Sequence, residues 1–246
     1  MDIQATIAMM SKAINDKKPV VNSTDEYPSA VTPGMLIAGL GAAVAGAVLA
    51  SVIAPAVLPQ MVQSLLGAEP KAYWYLSRAS ALVAFALLWI STLLGLMITN
   101  KLARAWPGGP TAFSLHQHTS LLALGFAIFH GLILLGDQYI GYTLGQVLVP
   151  FSGASYKPFW VGIGQVGIYL LAVVGLSFYV RRQITQKTWR LIHFASFAMF
   201  IMALAHGIFS GTDSSALPVQ LMYLLAAAST VFMTIYRIFV ARLGVK

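Results

Sequence analysis

Two apolar stretches decide the fold: LHQHTSLLALGFAIFHG (115–131) and WRLIHFASFAMFIMALAHG (189–207), each with a histidine towards either end. Four of the 5 histidines fall into two pairs, His116 with His130 and His193 with His206. The separations are 130 − 116 = 14 and 206 − 193 = 13 residues. At about 1.5 Å rise per residue these are offsets of roughly 21 and 20 Å. Two helices side by side therefore present histidines at two shared levels, one towards each surface of a hydrocarbon layer ~30 Å thick. Facing histidines from two helices of a bundle fill both axial positions of a b-type haem iron. Two such levels make an electron path across a membrane.

A single histidine in a membrane helix also reads as a pore lining, a proton relay or a packing residue; the matched pairs favour ligation. Isolated pairs ~20 Å apart lack the third and fourth ligands that zinc or copper takes. At about 100° per residue, 14 steps return within roughly 40° of the starting face, but 13 steps miss by about 140°. The helix carrying His193 and His206 is thus expected to be over- or underwound, with a π-bulge near its middle as one means. His118 lies about 200° around from His116, and its 12 steps to His130 miss by about 120°. His116 is therefore the expected ligand, and His118 is expected to point elsewhere.

The composition agrees with a membrane setting. Of 246 residues, 58% are hydrophobic and 9% charged, against about 25% charged in soluble domains; the mean hydropathy is +0.78. With Cys 0, disulfides, thiolate-held zinc and iron–sulfur clusters are excluded, and histidine is the obvious metal ligand. The net charge of +8 comes from bases in short loops between apolar segments, which report topology and not a nucleic-acid surface.

Six stretches are apolar enough to cross at about 20 residues each: 34–57, 73–99, 113–136, 158–180, 189–210 and 217–240. Turn-forming or charged links separate them, including WPGGP (106–110), RRQITQK (181–187) and GTDSS (211–215). The 137–157 loop, with VLVPF, is apolar enough to dip into the interface. The expected fold is an all-α integral membrane protein whose six-helix bundle holds two stacked haems, since unpaired backbone cannot face lipid. Lys101, Arg104, Arg181, Arg182, Lys187, Arg190, Arg237, Arg242 and Lys246 cluster on one side. The third loop has only Lys157 beside Asp137, and the fifth has Asp213 and no base. By the positive-inside rule both termini are expected to be cytoplasmic, which puts His116 and His193 at an inner level and His130 and His206 at an outer one.

Residues 1–33 read as a polar cytoplasmic tail with a short amphipathic piece around Ile3 to Ile14, because the order of a cleavable signal is missing. Residues 34–57 read as an extra Gly/Ala-rich helix, 73–240 as the haem domain, and 241–246 as a short cytoplasmic terminus. Gly34, Gly39, Gly41, Ala45 and Gly46 make the first span an ordinary packing helix or a contact surface for other subunits of a membrane complex.

The quoted stretches, together with YLSRASALVAFALLWISTLLG (75–95) and the LVPF (148–151) to YKPFWVGIGQVGIYLL (156–171) segment, resemble the ferric reductase-like transmembrane domain. That domain is the membrane portion of NADPH oxidases, ferric reductases and bacterial stand-alone relatives; the resemblance covers about 73–213. It implies two haem b groups, His116 with His193 on the inner one and His130 with His206 on the outer, with the 13-step spacing accommodated by helix distortion. It places Arg78 beside the outer haem, at a propionate or substrate pocket, against the plainer reading of a snorkelling interfacial arginine. Arg182 and Arg190 are candidates for the inner-haem propionates, against the reading that loop-edge bases mark topology. Phe126 and Phe200 lie midway between the levels and fill the gap between haems or simply pack.

The oxidases continue into flavin and nicotinamide domains, whereas this chain stops at Lys246 and has no glycine-rich phosphate loop. No flavin or NAD(P) site is expected, and electrons are expected from a separate flavoprotein, quinol or redox subunit. The leading expectation is a dihaem cytochrome in a bacterial cytoplasmic membrane, an electron-transfer oxidoreductase component in contact with lipid and not with nucleic acid. The alternatives are a quinol-oxidising anchor of an outer-face reductase and a structural or assembly subunit of a membrane complex.

Overall fold

The computed structural model describes residues 30–57, 72–153 and 156–242. The expected amphipathic piece around Ile3 to Ile14 and most of the 1–33 tail and of the 241–246 terminus lie outside them. Among the described residues the chain is all helical, and five helices are long and apolar enough to cross a membrane. The helices are α1 (Pro33–Val57), α2 (Ala72–Thr99), α3 (Gly109–Ile133), α4 (Leu144–Leu148), α5 (Pro158–Val180), α6 (Gln186–Phe194), α7 (Ser196–Ser210) and α8 (Leu217–Arg242). The five candidate spans are α2, α3 with its 3₁₀ extension to Gly136, α5, α6 and α7 taken together, and α8. The six-span topology goes beyond this count. The sequence places a span over 34–57, and a helix does form there, at Pro33–Val57.

Local chemistry sets the boundaries. α3 starts four residues before its expected position because Gly108, at φ 99, turns the chain and Pro110 sits in the first turn. Pro158 likewise opens α5, and Thr185 caps α6 by accepting from the Thr188 N–H at 3.1 Å. The α6–α7 boundary is a tightened turn, in which the Ala195 N–H donates to the Ile192 carbonyl three residues back, at 3.1 Å. Each residue wound at about 120° rather than 100° adds about 20°, the direction the 13-step spacing needs. This tightened turn, two residues after His193, is an overwinding that supplies about 20° of the roughly 140° needed, and no π-helical turn is present among the described residues of this span.

α2 and α3 pack antiparallel along their length, α5 packs on α7, and α8 closes against α2. Phe85, Leu88, Leu124, Leu171, Met199, Phe200 and Tyr223 form the core between them. Ala112, Ala123 and Ala226 are completely buried, which lets the helix axes approach closely, as lipid-embedded bundles require. Leu122, Phe129 and Leu132 on α3, Ile201 on α7, and Leu224 and Phe232 on α8 are exposed. A bundle apolar outside as well as inside suits a hydrocarbon solvent.

The 137–153 segment folds back against α5. A capping box between Thr143 and Gln146 starts α4. The Gln165 side chain then donates to the Gln146 and Val147 carbonyls at 2.7 and 2.8 Å and accepts from the Phe151 N–H at 3.2 Å. Gln165 stands two turns inside α5, about 10 Å from its first residue. This loop therefore reaches past the end of the span and covers the bundle near His130 and His206.

Candidate cofactor site

The fold brings the four histidines together as two pairs. The ring centroids of His116 and His193 are 6.1 Å apart, and those of His130 and His206 are 6.2 Å apart. A metal–Nε2 bond of about 2.0 Å on each side, plus roughly 1.1 Å from nitrogen to ring centre, puts two axial imidazole centroids about 6.2 Å apart. The interplanar angles are 73° and 68°. Both are compatible with axial ligation, since each ring can turn about the nitrogen–metal–nitrogen axis.

Three of the rings are held from behind. His116 Nδ1 lies 2.8 Å from the Ser91 carbonyl, His130 Nδ1 2.9 Å from the Ser77 carbonyl, and His206 Nδ1 2.9 Å from the Trp160 carbonyl. A carbonyl only accepts, so each Nδ1 carries the proton and donates it. That leaves Nε2 as the nitrogen with a free lone pair, the tautomer that outer-shell groups impose on metal-binding histidines. His193 is braced instead by Trp189, which stacks on it at 5.1 Å and 22°.

Glycines make room for two of these rings. A Cβ on Gly95 would come within 3.3 Å of His116 Cε1, and one on Gly164 within 2.5 Å of His206 Nδ1. His118 is exposed and bonds its own helix, with Nδ1 2.8 Å from the Ser114 carbonyl; it points away from the bundle. Among the described residues no group of three or more His, Cys, Asp or Glu could hold a metal ion. A cofactor that brings its own equatorial ligands suits two-histidine levels, whereas a bare ion does not.

At the His130/His206 level lies a cavity of about 490 Å³, bounded by Phe85, Leu88, Ala123, Leu171, Met199, Ala203 and both histidines. That size is within the range of small-molecule and cofactor pockets. Arg78 and Asp213 also line it. The guanidinium forms a two-point ion pair with Asp213, Nε to Oδ2 at 2.7 Å and NH2 to Oδ1, tying α2 to the loop between α7 and α8. Burial, and after it the neighbouring Tyr156, raises the Tyr142 phenol above its ordinary pKa.

Midway between the levels, Phe200 is buried and stacks on Phe85 at 6.0 Å and 26°. Phe126, the other expected gap-filler, is 37% exposed and faces outward. Arg182, in the turn after α5, and Arg190, on α6 one turn before His193, are exposed at the His116/His193 end.

The sequence reading missed Ser77, Ser91, Gly164, Phe85, Trp189, Tyr142 and Asp213. One signal was available: Ser77 and Ser91 are separated by 91 − 77 = 14 residues, the spacing of His116 and His130. On antiparallel α2 and α3 that match pairs Ser77 with His130 and Ser91 with His116. Comparison with known proteins finds no matching family model, no matching curated protein and no matching solved structure. The resemblance to the ferric reductase-like domain therefore rests on the motif residues themselves.

Proposed function

We propose that this chain is a b-type dihaem cytochrome that moves electrons across the cytoplasmic membrane as part of, or partner to, a larger redox system. The observation that carries the reading is the pair of histidine couples at 6.1 and 6.2 Å, the separation of two axial imidazoles on one iron. A haem b at each level supplies a one-electron iron couple of tunable potential. The residues do the rest. The backbone carbonyls of Ser91, Ser77 and Trp160 hold the tautomer, Gly95 and Gly164 leave room for the rings, and Phe85 with Phe200 fills the space between levels.

In this reading the bundle has six spans, Pro33–Val57 being the first, with both termini cytoplasmic and His116 and His193 at the inner level. Arg182 and Arg190 then face the inner haem propionates, and Arg78 the outer haem. Electrons come from a separate flavoprotein, quinol or redox subunit. Liposomes containing the protein and trapped ferricyanide test the reading, with dithionite added outside. Bleaching should be fast in wild-type vesicles and fall to the leak rate with His130→Ala. Equal rates in both, or in protein-free vesicles, would overturn it.

A further inference from the structure

Polar side chains at the Arg78 end of the cavity have more hydrogen-bond donors than acceptors. Tyr142 and Ser210 are 9% and 7% exposed, both line the cavity, and both hydroxyls lack a hydrogen-bond partner. Two acceptors of this region are engaged by other donors. The Asp213 carboxylate receives Arg78 through both oxygens, and the Ser210 carbonyl receives the Tyr156 hydroxyl at 2.7 Å. Of the five guanidinium N–H donors of an arginine, Asp213 takes two, leaving three. The Tyr142 and Ser210 hydroxyls, buried without a partner, are costly unless a ligand completes them.

We propose that Tyr142, Ser210 and the Arg78 guanidinium, oriented by Asp213, form a subsite that holds a carboxylate. A carboxylate only accepts, takes several hydrogen bonds at once and matches the planar guanidinium. The inference rests on the haem reading and deepens it: the carboxylate is a propionate of the haem on His130 and His206, or that of a free acceptor molecule entering the same end. Asp213 is a positioning residue, acting through Arg78.

The purified full-length chain tests this through haem content, the midpoint potential of the haem at this level, and the resonance Raman propionate bending band. With a propionate bound, Tyr142→Phe shifts the band and lowers the potential, because lost donors leave more negative charge beside the iron. Arg78→Gln lowers it as well. Asp213→Asn raises it, since the guanidinium charge is then uncompensated. With a free carboxylate bound, the band stays in place, but acetate saturably perturbs the wild-type haem spectrum and not that of Tyr142→Phe.

Haem retained with none of these changes overturns the subsite alone. If Tyr142→Phe does not fold, Arg78→Gln and Asp213→Asn decide, and shifts of the same sign, or none, overturn it. If the wild type binds no haem, the dihaem reading falls, and the subsite then stands or falls on whether acetate raises the Tm of the wild type but not of Ser210→Ala.

Discussion

Replacing Gly164 with alanine should remove one haem and spare the other. The new Cβ would stand 2.5 Å from His206 Nδ1, 2.7 Å from Cγ and 2.8 Å from Cε1. Ordinary non-bonded contact begins near 3.5 Å, so the ring must retreat by about 1 Å. Metal–ligand distances tolerate about 0.2 Å, and the retreat also breaks the 2.9 Å bond to the Trp160 carbonyl. Overpacking costs about 1–3 kcal/mol, too little to unfold most domains, while displacing an outer-shell contact costs about 10- to 100-fold in metal affinity. Gly95→Ala is the matched control, because its Cβ would meet His116 Cε1 at 3.3 Å and needs only about 0.2 Å of give. Pyridine haemochromogen analysis of monodisperse protein should find about one haem per chain in Gly164→Ala and two in Gly95→Ala. Two haems with an unchanged spectrum in Gly164→Ala would show that His206 does not depend on the space at Gly164.

Other substitutions follow the same geometry. His130→Ala or His206→Ala should strip one spectral component, and His116→Ala or His193→Ala the other, with His118→Ala losing neither; low-temperature difference spectra read the pattern. Phe200→Ala opens a cavity in the core beside Phe85 and should cost about 3–5 kcal/mol of stability, seen as a lower Tm, with haem content less affected than by any ligand change. Gln165→Ala frees three backbone groups of the 146–151 turn and should raise amide hydrogen exchange there, while α2 and α3 exchange as before.

Much of the fold was legible because hydropathy and turn chemistry are local. α5 begins and ends where its apolar run does, and Pro110 moved the start of α3 only because a proline suits a first turn as well as a loop. The histidine pairs were legible because helical rise converts spacing into depth. The winding defect was legible as a necessity, but its place was not, since Ala195 carries no mark of a tightened turn. The Trp160 carbonyl behind His206 is a backbone group and leaves no trace in side-chain identity, whereas the Ser77 and Ser91 positions behind His130 and His116 were marked by their 14-residue spacing. Asp213 reads as a loop residue until α2 and the α7–α8 loop are brought together, and Phe85 resembles any membrane aromatic until Phe200 is found stacked on it.

Each histidine couple is proposed to hold one iron. Expression with adequate haem supply, followed by haem-to-protein stoichiometry and low-temperature electron paramagnetic resonance, tests it directly. Two acid-acetone-extractable haems per chain, both low-spin with two histidine ligands, are expected. No haem, a single haem in well-folded protein, or a high-spin five-coordinate signal at either level would contradict it.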